Sequence, residues 1–301
     1  MYARIIAADS MGVRSLATFV SLCGYSIGLD LGVAIAPRRY GLPPHPLELE
    51  RLESSLDSVR KFIRESSIII ITHYHYDHYV SREPELYYDK MLIVKDITRD
   101  INFSQKLRGY RFLKKSGLED KANIVVGDGR TFKINRLIIE LSNPVWHGEV
   151  NSKVGRVLMV RLVCDNESLI FTSDVQGPAD PEALRILKSW SNPRPKLLIL
   201  GGPPTYFSRS IISSDTINKG LQGVMEVIRS IKPETLVLDH HILRDLNYMV
   251  YIEEHQRIAR ELNIKLVTAA EFEGKPIEQL EARRKDLWNI NLETREEIDN
   301  E

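Results

Sequence analysis

Cysteine is almost absent from this chain: its 301 residues include two, Cys23 and Cys164. That count rules out a disulfide framework, and it rules out a thiolate zinc cluster, which needs several closely spaced cysteines. Both sit among apolar residues, so buried free thiols are expected. Long apolar runs are missing too. The strongest, SSIIIIT before His73, is far shorter than the roughly 20 residues that span a bilayer. The N-terminal MYARIIAADS carries an arginine and an aspartate before any apolar stretch, and does not read as a secretory leader. A cytoplasmic protein without membrane attachment is expected. Charge of one sign is not in excess either, because Lys plus Arg and Asp plus Glu both number 41. A polyanionic partner would have to be held by a local patch.

What is present is ordinary globular material, 43% apolar and 27% charged, enough for one large layered domain or two modest ones. Residues 2–8 and 23–29 read as strands, with the polar turn DSMGVRS between them. In VAIAPRRYGLPPHPLE four prolines and a glycine exclude a regular element, which leaves an irregular loop that lines or covers something. Leu49, Leu52, Leu56, Val59 and Ile63 then recur at three- and four-residue spacing, an amphipathic helix over 48–65. It runs into SIIII, a strand buried on both faces. A short strand at 91–94 and a polar stretch follow. From 123 to 171, short β-rich runs broken by GDG, INR and DNE read as antiparallel hairpins. Helices over 181–190, 217–231 and 249–262 then alternate with the strands KLLILGG, 235–238 and IKLVTAAEF. Each half starts with strands and later gains helices, and in layered α/β folds sites form beyond strand ends. These elements fill a domain over 1–274. The charged tail over 275–301 belongs to it or lies at its periphery, with its last residues expected to fray.

Histidine is scarce, eight residues in all, yet His73, His75 and His78 fall together with Asp77 in THYHYDHY. A tight turn can aim two imidazoles one way and the Asp77/His78 pair another, which suits two adjacent cations. Three further strand ends each deliver a group able to ligate: His147 after SNPVW, Asp174 closing SLIFTSD, and His240 and His241 after TLVLD. A carboxylate at Asp174 that bridges two cations would both neutralise charge and fix their separation. Of the histidine pair, His240 is favoured as ligand and His241 as a hydrogen-bond donor or substrate contact. Asp9 and Asp30 read as turn carboxylates or supports rather than ligands.

THYHYDH resembles the HxHxDH motif of the metallo-beta-lactamase superfamily, and His147, Asp174 and His240 or His241 follow in that superfamily's order. DSMGVRS, APRRYGLPPH, THYHYDHY, PVWHG, FTSDVQGP and LDHHILRD make the chain most similar to the archaeal UPF0282 family of predicted metallo-hydrolases. The resemblance implies an α/β fold, a four-layer αβ/βα sandwich. It implies His73, His75 and His147 on one metal, Asp77, His78 and the terminal histidine on a second, and Asp174 between them. Zn2+ is the expected ion, with Mn2+ or Fe compatible with nitrogen and oxygen donors. The implied chemistry is hydrolysis by a hydroxide bridging two metal ions, with Asp77 orienting the water.

Such a centre does not discriminate phosphodiesters, thioesters, lactones or lactams, so substrate choice falls to the loops. Candidates are Arg14, then Arg38, Arg39, Tyr40 and His45 in the proline-rich loop, and Tyr206 in GGPPTYF. An anionic small molecule or nucleic acid is the expected substrate, a phosphodiester first and a thioester or lactone second. Residues 95–115 carry Lys95, Arg99, Lys106, Arg108, Arg111, Lys114 and Lys115 against Asp96 and Asp100, with Tyr110 and Phe112 among them, a candidate phosphate-binding patch. Two other classes compete. A di-iron redox protein on the same fold normally needs a flavin-binding partner or domain, and no glycine-rich fingerprint is present. A nucleic-acid-binding module has no need of seven ligand groups. A homodimer is expected from size and class.

Overall fold

The computed structural model describes residues 1–207 and 213–289. Its first sheet takes β1 (Tyr2–Ala8), β2 (Leu16–Leu22), β3 (Tyr25–Leu29), β4 (Ile68–Ile71), β5 (Met91–Val94) and β6 (Asn123–Val126) in chain order. Pairing is antiparallel up to β3 and parallel from there on. The second sheet starts with β7 (Thr131–Ile134) and β8 (Leu137–Leu141). After a two-stranded ribbon of β9 (Val145–Trp146) and β10 (Arg156–Val157), it continues through β11 (Val160–Cys164), β12 (Glu167–Phe171), β13 (Leu197–Gly201), β14 (Thr235–Asp239) and β15 (Lys265–Val267). It too is antiparallel at first and parallel beyond β12.

The two-residue period of the strands sets the layers. In β4, Ile68 and Ile70 enter the core between the sheets, while Ile69 and Ile71 pack with Val59 and Ile63 of α1 (Pro46–Glu65). Phe112 and Leu113, just after α2 (Phe103–Tyr110), join the same outer core. In β13, Leu197 and Ile199 face the central core. Leu198 and Leu200 face outward, towards apolar residues of α3 (Pro181–Ser189), α4 (Ser214–Glu226) and α5 (Tyr248–Glu261). Three apolar interfaces thus separate four layers, an αβ/βα sandwich. Among the described residues no helix is long and apolar enough to cross a membrane.

Several local expectations need correction. LATFVSL forms β2, a strand the sequence reading passes over; six of its seven residues are buried, so the alternation that marks a half-exposed strand is missing. The final strand stops at Val267, because Thr268 and Glu271 form a capping box that starts the short α6 (Ala269–Phe272). α1 begins at Pro46 because His45 Nδ1 accepts from the Leu47 N–H while Glu48 accepts from the His45 N–H. The two cysteines are not free thiols: Cys23, at the β2–β3 turn, is bonded to Cys164 at the end of β11, which ties one sheet to the other. The partners are 141 residues apart, so no spacing pattern announces the bond.

Beyond residue 274 the chain stays in contact with the body. Leu280, Ala282 and Leu287 are buried, and Arg284 is enclosed against Glu48 at 2.7 and 2.8 Å. The fraying expected of the last residues concerns 290–301, which lie outside the described residues.

Candidate metal centre

The polar groups converge where several strands end. Asp30 follows β3 and takes a left-handed φ of 45°. Its carboxylate accepts from the Thr72 N–H at 2.8 Å, from Thr72 Oγ1 at 2.6 Å and from Ser173 Oγ at 2.9 Å, and lies 2.9 Å from His78 Nδ1. One carboxylate thus ties the exits of β3, β4 and β12 together. Gly32 permits the approach: a Cβ there would sit 2.0 Å from the Tyr79 nitrogen. Ser173, Gln176 and His240 also have positive φ. Backbone strain of this kind persists only where surrounding contacts enforce it.

Asp174, beyond the end of β12, stands among the imidazoles. Its Oδ2 is 2.9 Å from His147 Nε2, 3.3 Å from His78 Nε2 and 3.5 Å from His73 Nε2, and its Oδ1 is 2.9 Å from His240 Nε2. Ligand atoms of His73, His75, His147 and Asp174 all lie within 4.8 Å of one another, as do those of Asp77, His78 and His240. Asp77 is 3.8 Å from Nε2 of both His78 and His240. His78 Nε2 and Asp174 Oδ1 are buried yet make no hydrogen bond of good geometry, although buried polar atoms are normally satisfied. Short separations without hydrogen-bond geometry are what donors aimed at a common third atom produce. The nitrogen and oxygen set suits zinc, manganese or iron, and the cluster is compatible with a dinuclear site of the kind found in metallo-beta-lactamase hydrolases.

Electrostatics divide the cluster. Burial, then His78, pushes His73 down to about 4. Burial, then His73 and His147, holds His75 well below the usual imidazole range, and burial with Arg244 does the same to His241. Burial opposes the charged form of His78 as well, but Asp174, Asp77 and Asp30 outweigh it and raise its pKa well above the usual value. For His240 burial is likewise outweighed, by Asp174 and Asp9, and the pKa rises to about 9. The imidazoles in turn keep Asp174 and Asp77 ionised against burial, and Arg244 does so for Asp9.

His240 and His241 have different surroundings. His240 is fully enclosed, with Nδ1 2.7 Å from Asp9 Oδ2. His241 lines a cavity of about 880 Å3 together with His75, Asp77, His147 and Asp174. Its Nε2 is 3.7 Å from Asp174, and its Nδ1 is 3.2 Å from Arg244 and 3.5 Å from the Tyr206 hydroxyl. Tyr206 and Arg14 line the same cavity, but Arg14 is bound to Glu281 at 2.6 and 2.7 Å. Arg39 stacks over the Tyr206 ring at 4.3 Å. Ala34, Ile35 and Pro37 of the proline-rich loop line this cavity, but the loop's other candidates are not brought to the cluster: Arg38 is exposed, Tyr40 donates to the Ala282 carbonyl, and His45 caps α1. Two residues outside the sequence assignment belong here. Arg244 donates to Asp9 at 2.7 Å, and the Gln176 amide lies 3.2 Å from His147 and 3.4 Å from His241. Both fall inside the segments FTSDVQGP and LDHHILRD, which was the only signal available.

Two facing sheets with helices outside and a histidine-aspartate cluster at the strand ends define a metallo-beta-lactamase fold protein, and solved structures agree. An isothiocyanate hydrolase from Delia radicum gut bacteria matches with a TM-score of 0.52 at 16% identity, over 84% of this chain and 94% of that one. A metallo-beta-lactamase fold protein from Bacillus subtilis gives 0.51 at 13%, over 88% and 95%. The diiron beta-hydroxylase CmlA from Streptomyces venezuelae gives 0.53 at 12%, over 88% of this chain and 52% of that one. At such identities the likeness concerns the fold alone. No family model matches the sequence. Whole-length relatives do. The UPF0282 protein of Aeropyrum pernix is 50% identical over 289 residues, 96% of this chain and 98% of the relative. That of Korarchaeum cryptofilum is 41% identical over 287 residues, covering 95% and 93%. The chain belongs to the archaeal UPF0282 family.

Proposed function

We propose that the protein is a hydrolase that works with two divalent cations, Zn2+ first and Mn2+ or Fe as alternatives, on an anionic substrate. The observation that carries this reading is the convergence of two donor sets on Asp174. His73, His75 and His147 would hold one cation, Asp77, His78 and His240 the other, and Asp174 would serve both. When bound, such cations lower the pKa of water towards neutrality and stabilise negative charge on the attacked group. The protein's own groups supply orientation. Asp30 and Asp9 accept the Nδ1 protons of His78 and His240, which leaves each Nε2 free as a donor atom. His241, neutral and open to the cavity, is placed with Tyr206 to hydrogen-bond the substrate.

The cavity wall supports an anionic substrate. Arg108 and Lys153 line it, and neither has a carboxylate partner among the described residues. The cation-rich segment supports a small anion over a polynucleotide. Lys95 is buried on Asp128, Arg99 is paired with Asp96 and Lys114 with Glu119, so three of its cations are already neutralised. Phosphodiesters come first, thioesters and lactones second. Di-iron redox chemistry is the alternative that the shared fold of CmlA keeps open.

The deciding experiment is elemental mass spectrometry on untreated protein, followed on the same sample by a panel of phosphodiester, thioester and lactone substrates. The expected result is two zinc or manganese ions per chain and turnover of one class. Two irons without hydrolysis would replace this reading with the redox one. No bound metal, even after reconstitution, would overturn it.

A further inference from the structure

A second hollow, of about 590 Å3, adjoins the cavity of the metal centre. Ala34, Ile35, Tyr76 and Arg108 line both spaces, so the two meet along one seam. There the Arg108 guanidinium stacks on the Tyr76 ring at 4.8 Å. The lining of the hollow is mainly apolar, with Leu52 and Leu56 from α1 facing Val80 and Phe112. Tyr79 completes the wall, and its buried hydroxyl has no hydrogen-bond partner among the described residues.

The charges at the edge of this hollow are one-sided. Arg82, Arg108 and Arg111 line it, and among the described residues none of the three has a carboxylate partner. The one acidic residue of the lining, Glu83, is already held by Arg60 through three contacts of 2.6 to 3.1 Å. Guanidinium groups bind carboxylate, sulfonate and phosphate groups through paired donors. A hollow of this volume is in the range of small-molecule sites, roughly 300 to 1,000 Å3. Apolar walls under three guanidiniums without carboxylate partners, of which Arg108 donates to the Tyr74 carbonyl, complement an apolar body that carries an anionic group. A polynucleotide would need cations spaced along a track rather than gathered round one apolar space.

We propose that this hollow binds an apolar organic anion, and that the substrate cleaved at the adjoining centre carries such a group at its non-reacting end. The second clause rests on the hydrolase reading, and the first does not. The seam at Tyr76 and Arg108 lets one molecule reach both spaces. Binding energy from that remote end would serve to position the scissile bond.

The test is calorimetric titration of the metal-loaded protein with octane-1-sulfonate, using 1-octanol, inorganic sulfate and a single-stranded oligonucleotide as comparison probes. One saturable site is expected, with octane-1-sulfonate held at least about tenfold more tightly than octanol or sulfate. In the double variant Arg82→Ala/Arg111→Ala its affinity should fall by about tenfold or more, as for loss of a charge-assisted contact. Both arginines are exposed, and circular dichroism checks that the variant is folded. Absence of saturable binding, unchanged binding in the double variant, or preferential binding of the oligonucleotide at these arginines would overturn the proposal. Octane-1-sulfonate should also compete with whichever substrate the hydrolysis panel identifies; inhibition that is not competitive would overturn the link to the substrate. Failure of the hydrolase reading shows separately, in metal content and turnover, and leaves the binding isotherm as it is.

Discussion

His78 and His240 each have a buried carboxylate behind them, Asp30 at 2.9 Å and Asp9 at 2.7 Å from Nδ1. In the other donor set, the neighbours of Nδ1 are uncharged. His73 faces Thr72 Oγ1 at 3.1 Å and His147 the Gln176 amide at 3.2 Å, while His75 Nδ1 points into the cluster, 3.0 Å from His73 Nε2. A carboxylate at Nδ1 makes an imidazole more basic and fixes its tautomer. The two sets therefore hold charge differently in the absence of metal. The raised pKa values of His78 and His240 keep them protonated at neutral pH, whereas His73 and His75 are neutral. A cation entering the carboxylate-backed set must displace protons, whereas one that meets His73 and His75 finds them neutral. Both donor sets approach Asp174, and cations held as proposed should differ in affinity, in proton release and in response to mutation.

The largest effect is expected where the sets meet. Asp174→Ala removes the shared carboxylate, so the purified variant should lose both metals and all hydrolysis, as read by elemental mass spectrometry and activity. Two tightly bound metals with full turnover would break the idea of a common bridge. Asp9→Asn should act on one side only. If the asparagine amide N–H faces His240 Nδ1, the ring proton is driven to Nε2, where it blocks ligation; if the amide is turned, its N–H faces the Arg244 donors instead. One of the two metals should then be held about 10 to 100-fold more weakly, with the other unchanged in a chelator competition. Equal weakening of both would erase the distinction between the sets.

How legible this was in the sequence depends on the range of the contact. THYHYDHY, Asp174 and the His240/His241 pair announce themselves because each ligand-capable group sits at the end of an apolar strand, a local pattern. The layering was legible for the same reason, since Ile68–Ile71 and Leu197–Leu200 are apolar on both faces. What was not legible depends on groups distant in the chain. Arg244 acquires its role from Asp9, 235 residues away, and Cys23 meets Cys164 across the two sheets. His45 stood among the substrate-contact candidates, with loop packing the favoured reading, and its cap was missed because no local rule marks a histidine as a helix cap. The cationic run 95–115 looked uniform in sequence, yet Lys95 is enclosed while Arg108 and Arg111 face the second hollow.

A smaller effect tests the comparison without mutation. His240 has a folded-state pKa raised from 6.5 to about 9, and that of His78 is raised as well. Groups raised in this way stabilise the fold fully below the unfolded value of about 6.5, and that contribution is lost as pH rises through the folded value. Metal-free protein should therefore lose thermal stability between about pH 6.5 and 9, and metal loading in that window should release protons. Metal-loaded protein should lack this slope, because its imidazoles are already deprotonated. Melting curves at fixed ionic strength, with and without chelator, make the measurement. A flat profile for the metal-free protein would mean that the carboxylate-backed histidines carry no extra protons.

The smallest expected effect is also the most direct exchange between the two sets. Gln176 stands at Nδ1 of His147 where Asp9 and Asp30 stand at His240 and His78. Gln176→Glu is nearly isosteric and gives His147 the carboxylate that its set lacks. If the carboxylate is what distinguishes the sets, the variant should bind one metal several-fold, and less than about tenfold, more tightly. Proton release on loading should increase, since a carboxylate beside an imidazole favours its protonated form. The gain is limited because the same amide also lies 3.4 Å from His241, so an acquired charge is shared between two rings. Chelator competition and proton-release titration read the two consequences independently. Unchanged affinity together with unchanged proton release would show that the difference between the sets comes from burial and from Asp174 rather than from the groups at Nδ1.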